Sequence, residues 1–203
     1  MAPSYHLLLL VQSPCGTAAS RVYLQHRFSD DLDLFVNDDS RFRLWTDRLI
    51  QGFVQVGNWR CTVVQREERF ARINLELDGA SLKVEMINDV PARVGNVSDH
   101  PVLGRVDTAE NILANKVTAL LDREEPKDFA DIWGFCTIMN LSLKKVISDA
   151  ESKAAGIFPA DLARLLCTVT REDWEVVRWI SPPIPENYLS SLNALGAALI
   201  LNP

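Results

Sequence analysis

The chain has 203 residues, 47% of them hydrophobic and 24% charged, with a formal net charge of −6. This hydrophobic content excludes an intrinsically disordered chain, and the acidic balance excludes a generally basic coat for nucleic acid, although a local basic cleft would not show in the total. One domain or two small ones fit this length.

The cysteines and the chain ends favour a cytoplasmic protein. Cys15, Cys61, Cys136 and Cys167 are widely spaced and form no CxxC pair, so reduced thiols are expected rather than a zinc or redox site. The apolar run Leu7–Val11 lacks the basic flank of a secretory signal and is too short to span a bilayer. We interpret this run and the apolar C-terminus as core elements.

Strand and helix patterns mix in the first half of the chain. Residues Asp30–Val36 are typical of a strand, and Asn37–Ser40 has turn and helix-cap chemistry. A helix follows, whose apolar residues recur at helical spacing: Phe42, Trp45 and Leu49. Alternation over residues 73–77 and 82–86, around a turn at Asp78–Ala80, predicts a β-hairpin.

Helical periodicity replaces strand alternation near Pro101–Asp107 and continues to the end of the chain. The stripe in residues 109–120 and the one in residues 132–139 are separated by a break at Pro126, and residues 145–180 also have a helical pattern. We predict an α+β half, residues 1–106, followed by an all-helical half, residues 107–203.

The stretch RFSDDLDLF holds the sharpest functional signal. Because side chains alternate on a strand, Asp31 and Asp33 project to one side, while Leu32 and Leu34 face the core. Neighbouring carboxylates repel one another unless a cation lies between them, and hard oxygen ligands suit Mg²⁺, or Mn²⁺ as an alternative. Glu85, on a later strand, is the candidate third carboxylate of a two-metal phosphoryl-transfer site.

A DxD spacing alone leaves other interpretations open. The two acids could lie on a solvated turn, in a haloacid-dehalogenase site or in the metal clip of a sugar-nucleotide transferase. The polar stretch Gln25–Asp30 disfavours the dehalogenase, which needs an apolar strand before its first aspartate. Nothing else in the sequence supports a sugar-nucleotide donor domain.

Two motifs resemble those of a known family. The stretch CGTAASRVYLQHRFSDDLDLF resembles the first motif of the AbiEii/AbiGii-type nucleotidyltransferase toxins, a branch of the polymerase-β superfamily. The matching residues are Gly16, Thr17, Ala18, Arg27, Ser29, Asp31, Asp33 and Phe35. The stretch TAENILANKVTALLDREEPKDFADIW resembles the family's second signature. The matching residues there are Lys116, Ala119, Leu120, Arg123, Lys127, Asp128 and Asp131.

The resemblance implies a polymerase-β-type nucleotidyltransferase core, a mixed sheet with flanking helices, followed by helices. Such an enzyme transfers a nucleoside monophosphate from an NTP to an acceptor hydroxyl, with Asp31 and Asp33 holding metals and Glu85 ligating or acting as base. It also implies the toxin of a toxin–antitoxin or phage-defence pair. The implied partners are an antitoxin protein and an acceptor that is RNA, in particular a tRNA end, or a protein.

The family motifs also supply a predicted nucleotide-binding set. The turn at Gly16 exposes backbone N–H groups that can hold a triphosphate, and the hydroxyls of Thr17 and Ser29 lie in the same motif. Lys116 lies on an apolar helical stripe, where a lysine needs a partner or a ligand; it could contact the phosphates from the helical half, or its stem could snorkel to water. Arg27 could face phosphate or pair with a local acid.

Two acids are expected near Lys116. Asp128 and Asp131 have helical i, i+3 spacing after a short loop, so they could meet Lys116 across a helical hairpin and position it. The three histidines, His6, His26 and His100, have no partner at ligand spacing, so core or surface positions are expected for them.

The chain departs from the family pattern in two places. Cys15 stands where the family usually has glycine, which would strain the turn or narrow the pocket, and about fourteen residues precede that turn. These departures leave open a catalytically inactive nucleotide-binding or interaction protein of the same fold. A small-molecule, antibiotic-modifying nucleotidyltransferase is a further alternative.

Overall fold

Two compact units make up the protein. The computed structural model describes residues 15–56, 59–101, 103–150 and 158–201. The first unit, here called the sheet unit, consists of residues 1–18, 29–91 and 97–107, and the second, the helical unit, consists of residues 19–28, 92–96 and 108–203. The domain boundary at residue 106 stays a prediction. The run Leu7–Val11 and His6 lie outside the described residues.

The sheet unit is built on a mixed β-sheet. Its elements are α1 (Cys15–Ala18), β1 (Asp31–Asn37), α2 (Phe42–Val56), β2 (Arg60–Arg66), β3 (Phe70–Leu77), β4 (Ala80–Asp89), β5 (Ser98–His100) and β6 (Gly104–Val106). The sheet order is β1–β4–β3–β2, with β1 parallel to β4 and the other pairs antiparallel, while β5 and β6 pair with each other. The predicted α+β class and mixed sheet are confirmed.

The predicted hairpin is present, with a two-residue turn between β3 and β4. Asp78 and Gly79 occupy the turn with φ angles of +49° and +84°. A type I′ turn, whose twist matches that of the flanking strands, requires positive φ at both central positions. Asp-Gly satisfies this requirement at low steric cost. This turn fixes the register of β4, the strand that carries Glu85.

One face of the sheet is apolar and packs against α2. Ile73 and Val84 are fully buried there, and Phe42 of α2 joins the same cluster. Leu32 and Leu34 pack against this cluster, as the alternation in β1 predicted. Because strand side chains alternate, the residues between these apolar positions lie on the opposite face.

The helical unit contains a π-helical turn and six α-helices among the described residues. These are the turn Ala19–Tyr23 and α3 (Ala109–Arg123), α4 (Pro126–Thr137), α5 (Leu143–Ala150), α6 (Pro159–Thr168), α7 (Arg171–Val176) and α8 (Pro185–Leu201). Glu124, with φ of +48°, ends α3, and Pro126 begins α4. The predicted break at Pro126 therefore makes a helical hairpin of α3 and α4.

The apolar C-terminal run that was predicted as a core element ends α8, where Leu199 is buried but Ile200 and Leu201 are exposed. Tyr188 and Leu192 are fully buried in α8, and Gly196 lies so close to α6 that a Cβ would be 2.8 Å from the Ala163 carbonyl oxygen. A glycine is therefore needed for this close helix packing. No helix within the described residues is both long and apolar enough to cross a membrane.

Replacing Ile73 by alanine tests the buried face of the sheet. We expect Ile73→Ala to lower the free energy of unfolding by about 2–5 kcal/mol, because it leaves a cavity in the cluster shared with α2. Val63→Ala, at an exposed position of β2, should change it by less than about 0.5 kcal/mol. Urea denaturation followed by circular dichroism measures both, and equal losses would contradict this assignment of the faces.

Candidate functional site

The three predicted catalytic carboxylates lie on one face of the sheet. In the parallel pairing of β1 with β4, Asp33 is opposite Glu85 and Asp31 is opposite Lys83. All four side chains project away from the apolar face that packs on α2. The structure therefore brings Asp31, Asp33 and Glu85 together on two neighbouring strands.

Two cations are part of this carboxylate group. The Lys83 ammonium is 3.0 Å from Oδ2 of Asp31 and 3.4 Å from Oε1 of Glu85. Arg72, opposite Glu85 on β3, donates from Nε to the same Oε1 at 2.8 Å. Burial opposes the charged form of Lys83, but Asp31 and Glu85 raise its pKa above the ordinary value. Lys83 is therefore a cation at neutral pH.

Neither Lys83 nor Arg72 was predicted as a site residue. The signal for Lys83 was available, since it is two positions before Glu85 and so shares its face. Arg72 could be found only once the register of β3 against β4 was known. Both residues join the candidate site on geometry.

Two hydroxyls meet at the start of β1. Thr17 Oγ1 donates to the backbone carbonyl of Asp31 at 2.5 Å and lies 3.3 Å from Oγ of Ser29. Gly16 is in the same short helix, α1. The structure thus places Thr17 and Ser29, two members of the predicted nucleotide-binding set, beside Asp31. The predicted effect of Cys15 stays a prediction, because its side chain lies outside the described part.

The donor chemistry of the site fits a divalent cation. Among the residues that the structure describes, no three or more His, Cys, Asp or Glu side chains are arranged as they stand to hold a metal ion. Carboxylate oxygens are nevertheless the ligands that Mg²⁺ prefers. The Lys83 ammonium also shows that the space between Asp31 and Glu85 accepts a positive charge.

A second charged group is buried in the helical unit. The Lys116 ammonium lies 2.7 Å from Oδ1 of Asp128 and 2.7 Å from Oδ2 of Asp131. Arg27 donates to Asp131 with both Nε and a terminal nitrogen, each at 2.7 Å. All four residues are buried. The expected meeting of Lys116 with the two acids of the hairpin is therefore present, and Arg27 pairs with an acid 104 residues away.

Two further residues contact this buried charge cluster, the exposed Arg123 and the buried His26. Arg123 donates from Nε to Oδ2 of Asp128 at 2.9 Å, and Nε2 of His26 is 3.1 Å from Oδ1 of Asp131. Burial alone would raise the pKa of Asp128 and Asp131, but the surrounding cations, Lys116 first among them, hold both pKa values below their usual range. The cluster binds α3, α4 and residues 26–27 to one another. His26 is a core histidine, one of the two positions expected for it.

Comparison with known proteins agrees with the motifs. The family model described as "Nucleotidyl transferase AbiEii toxin, Type IV TA system" matches residues 16–176. No curated protein matches the chain significantly. The crystal structure of JHP933 from Helicobacter pylori is 15% identical, with a TM-score of 0.59 over 96% of this chain and 88% of that one. MenT4, a nucleotidyltransferase toxin from Mycobacterium tuberculosis, is 20% identical, with a TM-score of 0.59 over 96% and 80%. At these identities the structural likeness shows a shared fold.

Lys116→Met tests the structural contribution of the buried charge cluster. The variant keeps most of the apolar stem but leaves Asp128 and Asp131 buried without the cation they share. We expect the free energy of unfolding to fall by about 3–5 kcal/mol. Lys145→Met, at an exposed position of α5, is the matched control and should change it by less than about 0.5 kcal/mol. Unchanged stability of Lys116→Met in urea denaturation would contradict this role.

The effect of Asp131→Asn should depend on pH. Against the effect of burial, Lys116 and Arg27 hold the pKa of Asp131 well below its ordinary 3.8. The stability that this lowered pKa supplies is present above the unfolded value and is lost as the pH falls through the folded value. We expect a large, constant loss of unfolding free energy from about pH 5 to 7, shrinking below about pH 4.

Urea denaturation across this range measures the effect of Asp131→Asn. Glu172→Gln, at an exposed position of α7, is the control and should show a small difference throughout. A loss in Asp131→Asn that grew in acid would show that the aspartate is neutral in the folded protein.

Proposed function

The chain belongs to the AbiEii family of nucleotidyl transferase toxins, and we propose that it transfers a nucleoside monophosphate from an NTP to an acceptor hydroxyl with the help of Mg²⁺ or Mn²⁺. The observation that carries this proposal is the parallel register of β1 and β4. It places Asp33 opposite Glu85, with Asp31 on the same face. Carboxylates on adjacent strands supply oxygen ligands of the kind that metal-assisted phosphoryl transfer uses.

Each residue of the sheet site has a proposed role. Asp31 and Asp33 hold the metal, and Glu85 either joins them as a ligand or takes the proton of the acceptor hydroxyl. A bound divalent cation would neutralise the triphosphate and lower the pKa of that hydroxyl. Arg72 orients the Glu85 carboxylate through its hydrogen bond to Oε1.

The hydroxyl pair at the start of β1 is proposed to hold phosphate. Thr17 and Ser29 lie within 3.3 Å of each other, and hydroxyls can donate to phosphate oxygens. The backbone at Gly16, in the short helix α1, would add N–H donors. Transfer of the nucleoside monophosphate then releases pyrophosphate, which separates from the same group of donors.

The nucleotide-binding roles of the buried charge cluster stay predictions. Lys116, Asp128, Asp131 and Arg27 are paired with one another, which supports a contribution to stability. A direct contact between Lys116 and phosphate would require at least one of these pairs to break. Activity per folded molecule of Lys116→Met separates the two roles, since only a phosphate contact would lower it.

The acceptor and the partner follow from family membership as proposals. We propose that the acceptor is RNA, in particular a tRNA end, or a protein, and that a cognate antitoxin protein binds the enzyme. A catalytically inactive nucleotide-binding protein of the same fold is the second candidate. Its support is that Lys83 and Arg72 already neutralise Glu85.

Asp33→Ala tests the proposed reaction. The protein is incubated with each labelled NTP, Mg²⁺ and total bacterial RNA, and label is measured separately on protein and RNA. We expect the wild-type chain to transfer label and Asp33→Ala to lose at least about a hundredfold in rate, because a metal ligand contributes several kcal/mol of transition-state stabilisation.

Glu76→Ala is the control for this experiment, since it removes an exposed carboxylate from the same sheet. It should transfer label at the wild-type rate, and circular dichroism should show that both variants are folded. Unchanged transfer by Asp33→Ala would exclude the carboxylates from catalysis. No transfer by the wild-type chain with any NTP would favour the inactive nucleotide-binding protein.

A further inference from the structure

A lysine ammonium lies between two of the carboxylates that are proposed to hold metal. Lys83 Nζ is 3.0 Å from Asp31 Oδ2 and 3.4 Å from Glu85 Oε1, and the three residues lie on adjacent strands of one sheet face. Two carboxylates this close repel one another without a cation between them. The ammonium therefore takes the electrostatic place of a metal ion at this site.

We propose that Lys83 is an internal cation that competes with the divalent metal for Asp31 and Glu85, so that metal binding exchanges one cation for the other. This inference rests on the proposed function, which supplies the metal. Mg²⁺ binds carboxylate oxygens at about 2.0–2.1 Å. An ammonium hydrogen-bonded to the same oxygens would share their lone pairs and repel the metal's charge.

The Lys83 side chain can move away from the carboxylates when a metal binds, whereas Arg72 can keep its contact with Glu85. The lysine side chain is 35% exposed and has a flexible four-carbon stem, so its ammonium can turn into water when the carboxylates take a metal. Arg72 contacts Glu85 from β3, the strand that pairs with β4 on the side away from β1. It can keep that carboxylate oriented during the exchange.

The exchange couples metal binding to nucleotide binding. Without nucleotide, a divalent ion must displace Lys83, so its affinity is lowered by the strength of two ionic contacts. A triphosphate brings negative charge that both attracts the metal and gives the displaced ammonium another counter-charge. By linkage, each of the two ligands then strengthens the binding of the other.

Metal affinity in the absence of nucleotide tests the proposal directly. We expect Lys83→Met to bind Mn²⁺ about 10- to 100-fold more tightly than the wild-type chain in calorimetric titrations. The variant lacks the ammonium that competes with the metal for the carboxylate oxygens. Arg60→Met is the matched control, because it removes a positive charge from an exposed position of the same sheet. Its Mn²⁺ affinity should equal that of the wild type.

Thermal unfolding supplies a second readout that does not depend on activity. In chelator, Lys83→Met should melt at a lower temperature than the wild type, because Asp31 and Glu85 lose their shared cation. Added Mn²⁺ should then raise its melting temperature more than that of the wild type. Lys83→Gln, which keeps a polar side chain, replaces Lys83→Met if the latter does not fold.

The outcomes separate this inference from the proposed function. If Lys83→Met binds Mn²⁺ no more tightly than the wild type, the competition is overturned. The metal site itself still stands in that case if the wild type binds Mn²⁺ and Asp33→Ala does not. Tighter binding by Lys83→Met in a chain that transfers no nucleotide would support the competition and overturn the reaction. The absence of Mn²⁺ binding in both proteins would overturn the competition, while the transfer assay with labelled NTP decides the reaction separately.

Discussion

The parallel pairing of β1 with β4 is the constraint on which the candidate site depends. It places Asp33 opposite Glu85, while the hydrophobic effect holds the other faces of the same strands against α2. A slip of one residue would turn every carboxylate toward the core and every leucine toward water. The apolar residues of the sheet therefore specify the position of the candidate catalytic carboxylates, which lie on the other face.

The buried charge cluster of the helical unit solves a different physical problem. Burying a single carboxylate costs several kcal/mol, and the cost is offset when cations and hydrogen-bond donors saturate its oxygens. Asp131 meets this condition through Lys116 and Arg27, and Asp128 through Lys116 and Arg123. Their geometry ties segments that are distant in sequence into one unit. Residues that match the family motifs therefore also contribute to the packing of this unit.

Period-two and helical patterns predicted much of this structure. The shared side of Asp31 and Asp33, the hairpin at Asp78 and the helical hairpin at Pro126 follow from local rules that a single segment satisfies by itself. The class of the fold followed from where strand alternation gave way to helical periodicity.

What remained hidden depended on register and on long-range contacts. The place of Arg72 beside Glu85 became visible only when the register of β3 against β4 was known. The partner of Arg27 lies 104 residues later, so that no spacing rule could choose between phosphate and an acid. The sequence also could not predict that residues 19–28 belong to the helical unit, because this assignment depends on contacts with residues far away in the chain.

The order of strands in the sheet bears on when the carboxylate group can exist. Strands β2, β3 and β4 are consecutive and antiparallel, so they can form from contacts that are near in sequence. Strand β1 must instead close a loop of about fifty residues to reach β4, which is entropically costly and slow. A nascent chain therefore cannot assemble Asp31, Asp33 and Glu85 until β4 has been synthesised.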